Sequence, residues 1–216
     1  MTKSPLLQLS DGVITRDQLP LISQANVSLE TGQVSLLTGP NGAGKSTLLV
    51  ALAGEKFLSS GTLQFGGETR DQISLRDLAK KRSLMLQHDE AVDQLQAKDV
   101  LELADVSAVI PTHTQEFVAK IFDSALYGKT LGALSVGQRT RVFLAATAIQ
   151  NSELMLLDEP TAGLDSEGIS VLAEFLDNHS SRGYAVLIAT HEDNLRTIAN
   201  NEYVIAEGTL SHKELS

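Results

Sequence analysis

The sequence predicts an α/β protein: a mainly parallel sheet flanked by helices, joined to an N-terminal antiparallel β subdomain and a helical subdomain insertion. Three observations carry that reading. Short apolar runs at residues 34–37, 154–157 and 184–189 suit strands buried on both faces of a parallel sheet. Between the last two lies a segment with helical spacing, the order of a βαβ unit with its right-handed crossover. Residues 97–150 keep helical spacing and carry few β-branched runs, so they read as the insertion.

Each element has a local reason. Gly39 closes the run 34–37. The helix predicted over 45–53 puts Leu48, Leu49 and Leu52 on one side and stops at Gly54. Leu63 and Phe65 alternate with polar neighbours between Gly61 and Gly66-Gly67, the pattern of an antiparallel strand with one wet face. Residues 83–86 form another short strand, and Lys80, Lys81 and Arg82 before it read as a solvated helix end. Within the insertion Val142, Ala146 and Ile149 share one helix face, and Pro111, Gly128 and Gly132 interrupt it. The run 154–157 ends in Asp158, after which Ile169, Leu172, Ala173 and Leu176 mark the next helix. From Ser211 the chain reads as a frayed end. Residues 1–87 and 151–216 are expected to form one core with its β subdomain, and residues 88–150 a helical subdomain.

Composition narrows the function classes. A length of 216 residues supports one sizeable core. No apolar run reaches the roughly 20 residues that span a bilayer, and no basic start followed by an apolar stretch marks a leader. A cytoplasmic protein is expected, whose membrane work would be done through other chains. Cysteine is absent, which excludes disulfides, cysteine metal sites and thiol catalysis. A net charge of −10 disfavours a nucleic-acid partner.

Two motifs carry chemistry. Gly39-Pro40-Asn41-Gly42-Ala43-Gly44-Lys45-Ser46-Thr47 matches the phosphate-binding loop, with a strand before it and a helix after it. Glycines let the backbone wrap so that successive N–H groups face phosphate, and the helix N-terminus adds positive potential. Lys45 is expected to reach the β- and γ-phosphates of ATP, and the Ser46 hydroxyl to ligate Mg²⁺. The fold class is therefore a P-loop NTPase core. The second motif, Asp158-Glu159, ends a buried strand and should emerge at the carboxyl edge of the sheet, where ligands bind in open α/β folds. Asp158 would hold Mg²⁺ and Glu159 would polarise the attacking water.

With Leu134-Ser135-Val136-Gly137-Gln138, the chain resembles the ATP-binding-cassette ATPase family over nearly its whole length. That segment is similar to the family's signature, usually Leu-Ser-Gly-Gly-Gln. Gln87 looks like the Q-loop glutamine, Ala162-Gly163-Leu164-Asp165 like the D-loop, and His191 like the switch histidine. The resemblance implies two cassettes packed head to tail, with Ser135, Gly137, Gln138 and Asp165 acting across the pair. It implies Lys45, Glu159, His191 and Gln87 as catalytic residues, and Ser46, Gln87 and Asp158 around Mg²⁺. It also implies transmembrane permease partners, reached through a groove formed largely by residues 88–105, and a place on the inner face of the cell membrane. A soluble ATPase of the same family, serving cofactor assembly, is the alternative.

Two departures stand out. Val136 replaces a glycine, and a β-branched residue disfavours positive φ, so an ordinary backbone is expected there. The family usually stacks adenine on an aromatic residue ahead of the phosphate loop, yet no aromatic precedes Phe57 here. Val13 or Ile14 is expected to give a weaker apolar contact, with weaker ATP affinity or base discrimination. A DNA-maintenance relative would need a long coiled-coil insertion, for which the 113 positions from Lys45 to Asp158 leave no room, and a translation factor would need two cassettes. Glu159 and His191 argue against a binding module that does not hydrolyse.

Overall fold

The computed structural model describes residues 5–16, 19–55, 58–87, 92–105 and 109–215. Strands β1 (Leu7–Arg16), β2 (Leu19–Leu29), β4 (Ser60–Phe65) and β5 (Glu68–Thr69) form an antiparallel sheet in the order β2-β1-β4-β5. The second sheet runs β10-β9-β3-β8-β7-β6, built from β3 (Val34–Thr38), β6 (Arg82–Met85), β7 (Leu154–Asp158), β8 (Ala185–Ala189), β9 (Asn201–Ala206) and β10 (Thr209–Glu214). Its pairings are parallel except for β9 with β10.

The continuous apolar runs are explained by burial on two sides. One face of the parallel sheet carries Leu37, Leu154, Leu156 and Leu187. It packs with β1 and β2 through Leu9, Ile14 and Ile22, and with α1 (Lys45–Leu52) through Leu48, Leu49 and Leu52. The other face carries Leu36, Met155, Leu157 and Ile188. It meets α4 (Thr112–Ile121), α5 (Val136–Ile149) and α6 (Ser166–Ser181) through Phe117, Leu144, Leu172 and Leu176. Two further α-helices among the described residues are α2 (Leu75–Lys81) and α3 (Ala97–Ala104). Pro111, where the insertion was expected to break, caps α4.

Two expectations are corrected. Arg82 is not a solvated helix end. It opens β6 and is nearly buried, its Nε donating to Ala53 O at 2.7 Å while the guanidinium pairs with Glu55. A long side chain next to a short helix can turn inward when carbonyl and carboxylate acceptors wait there, which charge clustering in sequence does not reveal. Residues 211–214 are not frayed either: they belong to β10, paired with β9 from Thr209↔Ala206 to Glu214↔Asn201. The turn residues Glu207 and Gly208 both have positive φ (49° and 73°), as a tight hairpin turn requires.

The α4–α6 contact holds a buried histidine pair. His113 Nε2 lies 3.1 Å from His179 Nδ1, and Tyr184 stacks on the His179 ring at 4.1 Å. Burial, followed by the charges of His113 and Arg182, pushes His179 down to about 3. A histidine whose folded value is depressed contributes stability that is present above its ordinary 6.5 and lost as pH falls toward about 3. His179→Phe keeps the ring and removes the titration. Urea midpoints of this variant should therefore fall less steeply than the parent's between pH 6.5 and 4; parallel pH curves would contradict that assignment.

Candidate active site

Three strand ends meet at one edge. Leu37 of β3 pairs with Ala189 of β8, which pairs with Asp158 of β7. The loop after β3 and the carboxylates at the end of β7 share one cleft of about 310 Å³ with Gln87, which follows β6; His191, which follows β8, reaches Lys45 and Glu159 of that lining.

After β3 the chain wraps into the phosphate loop. Gly39, Gly42 and Gly44 take φ of 148°, 81° and 105°. At Gly39 no side chain fits, since a Cβ would lie 2.5 Å from Ile205 O. Lys45, at the start of α1, folds back over the loop: Nζ donates to Gly39 O at 2.9 Å and to Pro40 O at 3.4 Å. The same Nζ stands 3.0 Å from His191 Nε2. An ammonium only donates, whereas the two oxygens named next only accept, so Nε2 stands between one donor and two acceptors. His191 Nε2 is also 3.1 Å from Asn41 Oδ1 and 3.5 Å from Glu159 Oε1.

Glu159 is held by its backbone, its N–H donating to Ala189 O at 2.8 Å. Its φ of 47° is left-handed, a strained conformation for a side chain of this size and one that recurs at functional sites. Burial raises its pKa above the ordinary carboxylate value, with Asp158 adding to the rise, while His191 and Lys45 oppose it. Asp158 is 2% exposed, and burial raises its pKa too, against the Ser46 hydroxyl, the Lys45 charge and the Gln87 backbone N–H. Its Oδ2 is buried with no hydrogen-bond partner. Such an orphaned oxygen beside a serine hydroxyl suits a hydrated Mg²⁺, which takes one or two carboxylates plus substrate phosphates rather than a full protein cage. No group of three or more His, Cys, Asp or Glu among the described residues could hold a metal ion.

Thr47 and Asn41 also line the cleft, and Gln87 is exposed on its rim. Ser135, Gly137, Gln138 and Asp165 do not line it. They gather at a second place. Ser135 caps α5, its Oγ accepting from Gln138 N at 3.2 Å while Gln138 Oε1 accepts from Ser135 N at 3.1 Å. Gly137 touches Gly163 so closely that a Cβ would lie 2.1 Å from Gly163 O. Thr140 Oγ1 donates to Ala162 O at 2.8 Å, and Asp165 caps α6 and pairs with Arg141 at 2.7 Å. Val136 has no positive φ and stands 63% exposed.

Val13 and Ile14 were expected to give the base an apolar contact. Ile14 is buried in the core and Val13 does not line the cleft. Arg16 does, and the sequence reading missed it, because nothing in a single charged residue near a strand end marks it. A groove of about 360 Å³ adjoins the cleft at Gln87. It is lined by Leu84, Leu86, Val100, Leu103, Ala104 and Phe143 among others. Of the stretch 88–105 expected there, residues 88–91 lie outside the described residues. A cleft of about 410 Å³ between Gln8, Asn26, Asn201 and Tyr203 collects none of the site residues expected from the sequence.

Known proteins match this architecture. The family described as ABC transporter matches residues 22–162. The Hemin import ATP-binding protein HmuV of Rhodococcus jostii is 31% identical, over 92% of this chain and 70% of its own. The Vitamin B12 import ATP-binding protein BtuD of Vibrio cholerae is 35% identical, over 87% of this chain and 77% of its own. The Cytochrome c biogenesis ATP-binding export protein CcmA of Aliivibrio fischeri is 29% identical, over 87% and 93%. A dimeric post-hydrolysis state of an ATP-binding cassette bound to ADP and Pi superposes with a TM-score of 0.84 at 19% identity, covering 97% of this chain and 99% of that one, a likeness of fold. A phosphate loop, a strand-end Asp-Glu pair and a histidine on one sheet edge, within a chain matched to this family over 141 of its residues (162 − 22 + 1), settle the matter: the protein belongs to the ABC transporter family, as its ATP-binding ATPase subunit.

Proposed function

We propose that the chain powers an ABC membrane transporter through nucleotide-driven dimerisation. The observation that carries the catalytic part is the chain of contacts Lys45 Nζ–His191 Nε2 (3.0 Å) and His191 Nε2–Glu159 Oε1 (3.5 Å) above the phosphate loop. The triphosphate lies on the loop amides of residues 39–47. Lys45 exchanges its own loop carbonyls for phosphate oxygens, which frees His191 Nε2 to donate toward the γ-phosphate. Glu159, raised in pKa and facing the cleft, orients the water and accepts its proton. Ser46, Asp158 and Gln87 would hold Mg²⁺, which when bound offsets the charge on the β- and γ-phosphates.

Ser135, Gly137, Gln138 and Asp165 serve a second cassette. Their distance from this chain's own cleft supports that reading, as do the dimeric structures of the same fold. The Gly137–Gly163 and Thr140–Ala162 contacts make the two segments one block, so a partner's nucleotide would sense both together. Residues 88–150 act as a helical subdomain against the core of 1–87 and 151–216. The apolar groove beside Gln87 receives a permease helix. Leu103, 73% exposed on its wall, is an apolar contact awaiting a partner. No helix among the described residues is long and apolar enough to cross a membrane, so the permease subunits provide the span, and this subunit sits peripherally on the cytoplasmic face.

Three outcomes are expected. Glu159→Gln should lower phosphate release about 10²–10⁴-fold, the range for losing a general base. ATP-dependent dimerisation by light scattering should persist; release at the parent rate removes Glu159 from the chemistry. The same variant should gain thermal stability at pH 8, a gain that fades below the ordinary 4.5. A carboxyl whose folded pKa is raised contributes stability below its unfolded value and loses it as pH rises through the folded one. Leu103→Asp should strip the co-purifying polytopic membrane protein from native membrane extracts. If no such protein comes down with the parent, the soluble alternative gains.

A further inference from the structure

We propose that Glu202 and Arg196 are positioning residues for His191: their ion pair fastens the segment that follows the imidazole to the strand that leads into the phosphate loop. The proposal rests on the reading of His191 as a γ-phosphate contact. Glu202 lies on β9, opposite Leu36 of β3 on one side and Lys213 of β10 on the other. It is 1% exposed, a depth at which an apolar side chain is the ordinary occupant. Here each carboxylate oxygen meets two donor groups. Arg196 Nη2 donates to Oε1 at 2.6 Å and Nη1 to Oε2 at 3.0 Å. Thr38 Oγ1 donates to Oε1 at 2.8 Å, and Lys213 Nζ stands 2.7 Å from Oε2. Burial raises the Glu202 pKa, but the bonds from Arg196, Lys213 and Thr38 outweigh it and hold the carboxyl well below its ordinary range. The pair is therefore charged at neutral pH.

Two of these donors come from the segments that meet over the phosphates. Thr38 ends β3, and Gly39 after it begins the phosphate loop. Arg196 belongs to the 3-10 helix Asp193–Ile198, which starts two residues after His191. Its Nε also donates to Asp193 Oδ1 at 3.2 Å, so one guanidinium spans from the first residue of that helix to β9. Leu195 is fully buried in the same core as Leu36 and seats the helix from below. A bidentate fork fixes direction as well as distance, which a lone ammonium does not. His191 depends on such an anchor. Its side chain is half-exposed, and its ring contacts are Lys45, Asn41 and Glu159. A triphosphate and its attacking water would draw those same groups away, leaving the backbone behind the ring to hold its place. An ion pair with a buried member is a weak device for stability alone, since apolar side chains of like volume often serve as well. What it supplies here is direction.

The competing role is stability alone, and phosphate release by the intact chain separates the two. Arg196→Ala leaves Thr38 and Lys213 on Glu202, so the carboxylate keeps partners. It should lower kcat by about 10–10²-fold, the scale of a misplaced reacting group. ATP affinity by titration calorimetry should stay at the parent value, because the loop amides and Lys45 are untouched. Glu202→Gln, which removes the charge from the other side, should do the same. In a His191→Ala background the loss from Arg196→Ala should vanish, since residues that act as a unit are not additive. Parent kcat per folded molecule in Arg196→Ala, with or without a lower melting temperature, overturns the proposal. So does an equal further loss in the His191→Ala background, because the effect would then not run through the imidazole. Should Arg196→Ala not fold, Arg196→Lys carries the same test, keeping a charge on Glu202 and losing the fork. His191→Ala by itself tests the underlying reading: phosphate release at the parent rate there would mean that His191 does not act on the reacting phosphate, whatever the Arg196 variants do.

Discussion

The parallel pairing of β3, β8 and β7 is the constraint on which the rest depends. It aligns Leu37, Ala189 and Asp158 across one sheet edge. The phosphate loop, His191 and Glu159 each leave the sheet within a few residues of that line. A shift of one residue in any of these strands would turn its apolar side chains to the opposite face and carry its polar end away from the others. The two buried faces of the sheet forbid such a shift, so hydrophobic burial on both sides fixes the spacing of the chemistry.

The site itself is in tension with the fold. Glu159 is left-handed, and two adjacent carboxyls are raised in pKa mainly by burial. Asp158 keeps an unpaired oxygen. Each feature opposes folding and suits binding: a cation and a triphosphate would satisfy what the protein leaves unsatisfied. Lys45 and His191, meanwhile, satisfy each other and the loop. Substrate entry then replaces one set of contacts by another, which limits the change in charge the interior must absorb.

The second polar cluster, around Ser135 and Asp165, is tied into the start of α5 and α6 by caps and a glycine–glycine contact. Its side chains make local contacts that any helix start could use. Their separation from the cleft of their own chain is the observation on which the proposed role across a pair of cassettes rests. Val136 fits that picture, since it opens a helix in an ordinary conformation and points its bulk outward.

The sequence by itself determined the α/β class, the phosphate loop and the strand-end carboxylates, because these follow from local rules. Glycine permits the loop, an apolar run buries on both sides, and polar residues appear where a buried strand ends. It misread Arg82 and residues 211–214, where the partner lies elsewhere in the chain: Ala53 and Glu55 for the first, β9 for the second. It also looked for the base contact at Val13 and Ile14. Which of the residues near the end of β1 enters the core and which enters the cleft is decided by how the hairpin sits on the phosphate loop. That seating is a packing event between segments distant in sequence, and only the tertiary structure brings Arg16 to the cleft.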